Sequence, residues 1–241
     1  MNLIIISESD KISENKYSIS DDRFIHIKSI LKSDVNDSVE IGLLNGKTGK
    51  AKILSLTNSD VILEIISLEE IIRSTFHVDL ICALPRPQTL KKILSISATM
   101  GIGKIYFIKS EKVEKSYFHS PLLKEENYTK FLIDGLSQGK RTILPKVSFH
   151  HYFKKFFDLD FSEYDIKLLA HPNVSDTLLN LKLNKENKIL IAIGPEGGWN
   201  DFEIEYLTNC GFIKFQLSNN ILRVENALMA ALSQIELLTS K

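Results

Sequence analysis

Gly194, Pro195, Glu196, Gly197 and Gly198 follow directly on the apolar run Ile189 to Ile193, and Arg223 and Glu225 stand just ahead of the last apolar segment of the chain. Glycines let a backbone come close to a bound group, because no Cβ stands in the way. A carboxylate among them suits a ligand that is cationic or neutral where it approaches. The loop has neither the G-x-G-x-x-G spacing nor the Lys-Ser/Thr ending of phosphate-binding loops. Glu196 would repel a phosphate at the place it must rest, which disfavours dinucleotide or ATP binding. The plainer reading is a tight strand-to-helix turn with Glu196 as its cap. Asn200 and Glu203 already have the spacing of a capping box for the following helix, so Glu196 is not needed for that task. Glu225, in a first helical turn, complements the helix dipole, whereas Arg223 opposes it. A residue that breaks a local rule at a ligand edge is a candidate site residue.

Elements able to position these groups can be read on both sides. Ile189 to Ile193, a helix-like stretch and Phe212 to Leu217 form a strand–loop–helix–strand unit, the order of a βαβ crossover. Both loops then emerge at the carboxyl edge of a parallel sheet, where open α/β sheets bind ligands. The same order occurs earlier. His77 to Ala83 reads as a strand, and Leu84-Pro85-Arg86-Pro87 is a stiff loop that forbids helix before Pro87. Thr89 to Met100 reads as a helix stopped by Gly101, and Lys104 to Ile108 as a strand. Leu122 to Ser137 is helical, and Lys167 to Ala170 is a short strand ending in His171-Pro172. Residues 73–241 are therefore expected to form an α/β domain with a parallel sheet. Its last helix, Ala227 to Leu238, carries apolar residues too broadly for a solvated terminal helix; it packs on its own chain or on a second copy.

Residues 1–72 read as β-rich. Val39 to Leu44 leads into the hairpin dipeptide Asn45-Gly46, and Lys50 to Leu56 and Asp60 to Ser67 continue as strands. One helical insertion, Asp21 to Lys32, has Phe24, Ile27, Ile30 and Leu31 at helical spacing. Short strands at short spacing predict a small barrel. The domain boundary is expected at 72/73, within Glu69 to Ser74.

Composition narrows the class. With 241 residues and 44% hydrophobic side chains the chain can bury a core. No apolar run reaches the roughly 20 residues that cross a bilayer, and the first residues lack the basic and apolar regions of a signal peptide. Cys82 and Cys210 make no disulfide framework, and His150 and His151, expected on an exposed loop, have no second pair at zinc spacing. The expectation is a cytoplasmic, metal-free protein without a membrane partner. The net charge of zero hides an asymmetry: residues 1–72 hold 8 basic and 12 acidic side chains, 73–155 hold 15 and 6, and 156–241 hold 7 and 12. The basic middle third suits a phosphate backbone or is an ordinary solvated surface. Arg86, Lys91, Lys92, Lys109, Lys112 and Lys115, near strand ends and loops, tip the balance toward the former.

The glycine motif followed by Ile221-Leu222-Arg223-Val224-Glu225 resembles the SPOUT-class RNA methyltransferases. Among these it is similar to the ribosomal small-subunit methyltransferase E family, whose members methylate N3 of a uridine in 16S rRNA. The resemblance runs along nearly the whole chain: His26-Ile27 with Ile30-Leu31-Lys32, Ala83 to Pro87, Val113 to Phe118, Ser120 to Leu123 and Ala170-His171-Pro172 also match. It implies a PUA-like barrel followed by a trefoil-knotted domain, an exception to the unknotted rule. It implies S-adenosyl-L-methionine as cofactor, held by Leu169, Ala170 and His171, by Ile193 and Gly194 to Gly198, and by Leu217, Ser218, Asn219, Asn220, Ile221 and Leu222. It implies a homodimer acting on 16S rRNA or the assembled small subunit. Arg23, His26, Lys32, Arg86, Lys91, Lys112, Lys115 and Arg141 are the candidate RNA contacts, with a surface role the default for His26. Uridine N3 must lose a proton, and a paired base must first be extruded. Arg223 would stabilise charge on the uracil oxygens, while Glu196 or Glu225 would take the proton or orient Arg223.

The sequence departs from the family pattern in places. Ser218 stands for a glycine, Asn220 for an arginine and Asn226 for a threonine, and Thr99 and Ser137 replace glutamates. Ser218 is expected to restrict the backbone where the cofactor approaches. These departures keep open an RNA-binding member without catalysis. Composition alone keeps open a nucleotide-binding α/β enzyme that does not act on RNA.

Overall fold

A computed structural model of the chain describes residues 2–70, 77–172 and 174–240. The chain forms two compact units, Met1–Arg73 with Leu136–Leu144, and Ser74–Gly135 with Pro145–Lys241. The expected boundary at 72/73 lies outside the described residues.

The first unit contains β1 (Ile4–Ile6), β2 (Lys11–Ser13), β3 (Lys16–Ile19), α1 (Asp22–Ile25), β4 (Ser38–Leu43), β5 (Thr48–Leu56) and β6 (Val61–Glu69). Its sheet runs β1-β4-β5-β6-β3-β2. Only the β1–β4 pairing is parallel. With β1 and β2 at opposite ends of that order, the sheet is a half-barrel open along one side. Alternation sends Val39, Ile41, Ala51, Ile53, Val61 and Leu63 into one core with Phe24 and Ile27 of the helical insertion. Asn45 takes the left-handed φ of 58° that the β4–β5 hairpin needs, and Gly46 N–H donates to Leu43 O at 2.8 Å. The helical insertion is shorter than expected: Asp21 caps Arg23 N at 3.0 Å, and after α1 the backbone widens into a π-turn over His26–Ile30. Ile30 is 68% exposed, so the helical spacing overstated the buried face.

Arg23 ties this unit together. Its guanidinium donates to Ile5 O at 2.7 Å, to both Asp10 carboxylate oxygens at 2.7 and 2.8 Å, and to both oxygens of Asp21. Those bonds occupy all five N–H donors of an arginine. Arg23 is thus a structural clamp rather than the RNA contact expected. Burial pushes the Asp10 carboxyl up, but hydrogen bonds from Arg23 and Ser7 outweigh it and hold it below 3.8. Asp21 is lowered as well, chiefly by Arg23. A later segment of the chain completes the unit. Leu3 N–H donates to Ser137 O at 3.0 Å, and Ser137 Oγ donates back to Leu3 O at 2.6 Å. Asn45 N–H reaches Thr142 O at 2.7 Å, and Leu144 N–H reaches Asn45 Oδ1 at 2.9 Å.

The second unit contains β7 (His77–Ala83), α2 (Pro87–Met100), β8 (Lys104–Ile108), α3 (Glu125–Gly139, whose last turn belongs to the first unit), β9 (Lys146–His150), α4 (Phe153–Phe157), β10 (Ile166–Ala170), β11 (Lys188–Ile193), α5 (Asp201–Asn209), β12 (Ile213–Phe215) and α6 (Val224–Thr239). Its sheet is parallel throughout, in the order β12-β10-β11-β7-β8-β9. The α/β fold with a parallel sheet is therefore as expected. Ile189 to Ala192 are fully buried, as a parallel strand covered on both faces requires. Pro87 opens α2 at its first turn, and Gly101 closes it at φ 82°. Asn200 and Glu203 form the expected capping box of α5. His150 corrects the exposed-loop expectation. It ends β9, half-buried with its ring 4.7 Å from that of Phe156, and burial lowers its pKa. β12 pairs with β10 rather than with β11, although β10 comes earlier in the chain.

Helices α2 and α3 meet at backbone contact. A Cβ on Gly135 would collide with Ser95 O and approach Ala98 Cβ to 2.9 Å, and Thr99 Oγ1 donates to Gly135 O at 3.0 Å. Gly135→Ala must separate the helices and is expected to destabilise the protein by about 1–3 kcal/mol, read as a lower thermal midpoint; an unchanged midpoint would contradict that packing. Asp10 and Asp21 are depressed in the folded state, so their contribution is complete above the unfolded value of 3.8 and is lost as pH falls through the lowered values. Arg23→Gln should therefore be less stable than the parent at neutral pH, with the gap closing below pH 3.8 in urea titrations.

Candidate active site

Backbone register brings the site together. Leu169 pairs with Ala192, Ala170 with Phe215, and Ile193 with Cys82. Strands β10, β11, β12 and β7 thus end nearly flush, and the loops after them rise from one rim. β12 does not pair with β11, yet both glycine-bearing and arginine-bearing loops reach the same edge because every strand is parallel. The end of β10 joins them.

The glycine loop is shaped by its neighbours. Gly198 adopts φ 68°, and its N–H closes a turn onto Pro195 O at 2.8 Å. A Cβ on Gly194 would lie 3.0–3.2 Å from the indole of Trp199, tighter than ordinary packing. Trp199 is 6% exposed, and its Nε1–H has no hydrogen-bond partner in the described structure. From the facing loop, Lys112 Nζ donates to Gly197 O at 2.8 Å. The loop after β12 is pinned as well. Gln216 N–H donates to Asp176 O at 2.7 Å, Gln216 Nε2 to Ser218 O at 2.9 Å, and Gln234 Nε2 of α6 to Leu217 O at 3.1 Å. Ser218 does not have the positive φ that would demand glycine. Its hydroxyl accepts Asn220 N–H at 3.0 Å and so stabilises the turn, contrary to the expected restriction.

These loops line a cleft of ≈ 910 Å³, at the upper end of small-molecule sites. Ala170, His171, Ile193, the five residues Gly194 to Gly198, Leu217, Ser218, Asn220, Ile221 and Leu222 all face it. Leu169 is fully buried in the sheet beneath, and Asn219 is not part of the lining. Arg223, Glu196 and Glu225 are brought together with Arg86 and Lys112. The two carboxylates differ. Glu225 is 8% exposed and accepts from Lys92 Nζ at 2.9 Å. That hydrogen bond holds its carboxyl below the usual glutamate value, which makes it a weak base and an anchor for the start of α6. Glu196 is exposed at the glycine loop. Arg223 is exposed at the N-cap of α6, where its backbone is extended (φ −66°, ψ 155°). Burial lowers the pKa of His171, favouring the neutral imidazole.

The candidate RNA contacts scatter. Arg86 and Lys112 line the cleft, with Arg86 Nε donating to Thr89 Oγ1 at 3.3 Å. Lys91 lies 5.5 Å from the ring centroid of Phe131, and Lys115 is exposed. In the first unit, Lys32 is exposed at φ 52°, and Arg141 is half-buried. His26 is half-buried, and its Nε2 is buried without a hydrogen-bond partner. Seven residues of the lining were not among the candidate site residues: Thr89, Glu114, Tyr117, Pro172, Trp199, Val224 and Ala227. Trp199, the single tryptophan and the residue directly after the glycines, carried a usable signal. Tyr117, whose hydroxyl donates to Glu114 at 3.1 Å, stood in the matched run Val113 to Phe118 without a role, since its loop reaches the cleft only through the fold. Among the described residues no cluster of three His, Cys, Asp or Glu could hold a metal, and no helix is long and apolar enough to cross a membrane.

The sequence and the fold have counterparts. The chain is 29% identical to "Ribosomal RNA small subunit methyltransferase E 1" of Borreliella burgdorferi, over 96% of this chain and 95% of that protein. It is 29% identical to "Ribosomal RNA small subunit methyltransferase E" of Treponema pallidum, over 96% and 89%. In fold it is similar to the crystal structure of a ribosomal RNA small subunit methyltransferase E from Neisseria gonorrhoeae bound to S-adenosyl methionine. There the TM-score is 0.79 at 20% identity, covering 98% of each chain. The model of the RNA methyltransferase domain matches residues 73–236, which include all four strand ends of the rim, and the chain belongs to that family.

Proposed function

We propose that this protein is an S-adenosylmethionine-dependent methyltransferase that modifies N3 of a uridine in the 16S rRNA of the small ribosomal subunit. The observation that carries this reading is the convergence of three loops, the glycine motif and an exposed arginine on one cleft in a chain of the RNA methyltransferase family. The small-subunit RNA named for the relatives supports the choice of substrate.

The residues present fit the cofactor. Glycine at 194 leaves the room that Trp199 restricts, the unpartnered Trp199 Nε1–H offers a donor at the wall, and Glu196 offers negative charge to a sulfonium. Ala170, His171, Gly194 to Gly198 and Leu217 to Leu222 would hold it, and when bound it supplies an electrophilic methyl group. The chain's own part is electrostatic. Arg223 holds the negative charge that develops on the uracil oxygens as N3 loses its proton. Glu196 takes that proton, because Glu225 is committed to Lys92 and its carboxyl is lowered. Arg86, Lys112 and Lys115 face the phosphates of the RNA, and Lys32 and Arg141 are candidate RNA contacts on the first unit.

The same reading takes the second unit as a trefoil knot and the first as a PUA-like RNA-binding domain, with the domain division at 72/73. Support for the knot is the place of β10 between β11 and β12, both of which follow it in sequence. The protein would act in the cytoplasm, where ribosomal subunits are assembled, and as a homodimer. The exposed side chains Ile221 (90%), Met229 (38%) and Leu237 (69%) favour the dimer.

Arg223→Ala should lower methyl transfer to small-subunit RNA by about 10²–10³-fold while calorimetry still detects S-adenosylmethionine binding. Glu196→Gln should lower transfer by at least ~10²-fold. Retained turnover in both variants would exclude these roles. Sedimentation equilibrium should give twice the mass of a 27.4 kDa chain, and Leu237→Lys with Met229→Lys should shift it toward monomer; a parent protein that sediments as a monomer would remove the dimer.

A further inference from the structure

A second concave surface lies beside the cleft and shares none of its lining residues. It is a groove of ≈ 740 Å³ formed by the loop after β8, by the start of α4 and by the start of α5. Two aromatic rings are presented there to solvent: Tyr152 is 71% exposed and Phe202 49%. Phe202 keeps that exposure although it adjoins the rings of Phe153 and Tyr206, against which it could be buried. Phe153 backs Phe202, with its centroid 6.4 Å away, and lies 5.7 Å from the ring of Tyr206.

Charge accompanies the rings. Lys154 Nζ lies 5.1 Å from the centroid of Phe202, and Lys155 is exposed beside it. No salt bridge to either lysine occurs among the described residues. The facing carboxylates do not cancel them. Glu203 is 2% exposed, with its oxygens accepting from Asn200 N at 3.0 Å and Glu111 N at 2.8 Å, which leaves Glu111 as the exposed anion of the groove. Ser110, also on the lining, is 1% exposed and its hydroxyl has no partner.

Stacking faces interleaved with unpaired cations are what single-stranded nucleic acid selects, since every base has a π-face and every linkage a phosphate. The groove also adjoins the cleft. Trp199, which covers Gly194 on one side, lies 6.4 Å from the ring of Phe153 on the other. We infer that this groove binds single-stranded RNA, stacking a nucleotide that flanks the target base on Phe202 and Tyr152 while Lys154 and Lys155 hold its phosphates. The inference rests on the methyltransferase reading in taking RNA as the ligand. It adds a site that fixes how the strand enters the cleft, and so bears on which sequence context is accepted.

Fluorescence anisotropy of a labelled single-stranded oligoribonucleotide with the full chain tests this, with calorimetry of S-adenosylmethionine on the same preparations. Phe202→Leu keeps the apolar volume and removes the π-face, and Tyr152→Ala alters a side chain that stands in solvent. Together they should weaken RNA binding about tenfold with cofactor affinity unchanged. Lys154→Gln with Lys155→Gln should flatten the dependence of log Kd on log salt by roughly 0.7 per lysine. Parent-like affinity in the aromatic variants, or a parent-like salt slope in the lysine variants, overturns the assignment. Should the parent protein bind the oligonucleotide through these residues yet transfer no methyl group, the groove stands and the proposed activity falls.

Discussion

Backbone hydrogen bonding between β10 and its two neighbours is the constraint from which the site follows. A parallel ladder leaves little freedom: once Leu169 is opposite Ala192 and Ala170 opposite Phe215, the first residues after three strands must emerge together. Fully buried side chains along β11 then make a slip in register costly, because the strand is covered on both faces. The loops inherit their positions from the sheet, and each is then trimmed by a few local bonds. Gln216 and Gln234 secure one of them, while Lys112 and the Trp199 ring secure another. Few free rotations remain in a cleft whose task requires the reacting groups to be held before the ligand arrives.

Charge at the rim is divided by burial. Two glutamates and an arginine arrive in the same cleft, but a lysine on α2 claims one carboxylate and leaves the other to solvent. That difference is invisible in a string of letters, where Glu196 and Glu225 are equivalent acids near glycines and a helix start. The ion pair between Lys92 and Glu225 connects positions 133 residues apart, and only the packing of α2 against α6 brings them together.

Local rules carried much of the fold. Pro87, Gly101, Asn45-Gly46 and the Asn200–Glu203 box each act over a few residues, and each appears where its chemistry placed it. The half-buried strand β9 and the short helix α4 did not announce themselves. Their aromatic residues lack a clear period and are sorted by contacts with Phe107, Tyr128, Tyr106, Phe161 and Tyr206. Arg23 misled for a related reason: a guanidinium among carboxylates reads as surface charge until the two aspartates and Ile5 O close around it. The glycine loop and its arginine were legible because their chemistry is written in consecutive residues. The place of Tyr117 and Glu114 in the cleft was not, since a long-range turn delivers them. The departures at Thr99 and Ser137 became intelligible in the same way, as hydroxyls short enough to bond the backbone where two segments touch.

The segment Leu136–Leu144 belongs with the first unit although more than sixty residues of the second precede it. Leu3, Asn45 and Gly46 all find partners in it. As the polypeptide leaves the ribosome, the amino-terminal half-barrel can pair its strands early but cannot close these bonds until α3 has been made. The two units must therefore mature in an interleaved order rather than one after the other, and a gene fragment ending between them would encode an amino-terminal piece whose backbone donors at Leu3 and Asn45 have nothing to meet.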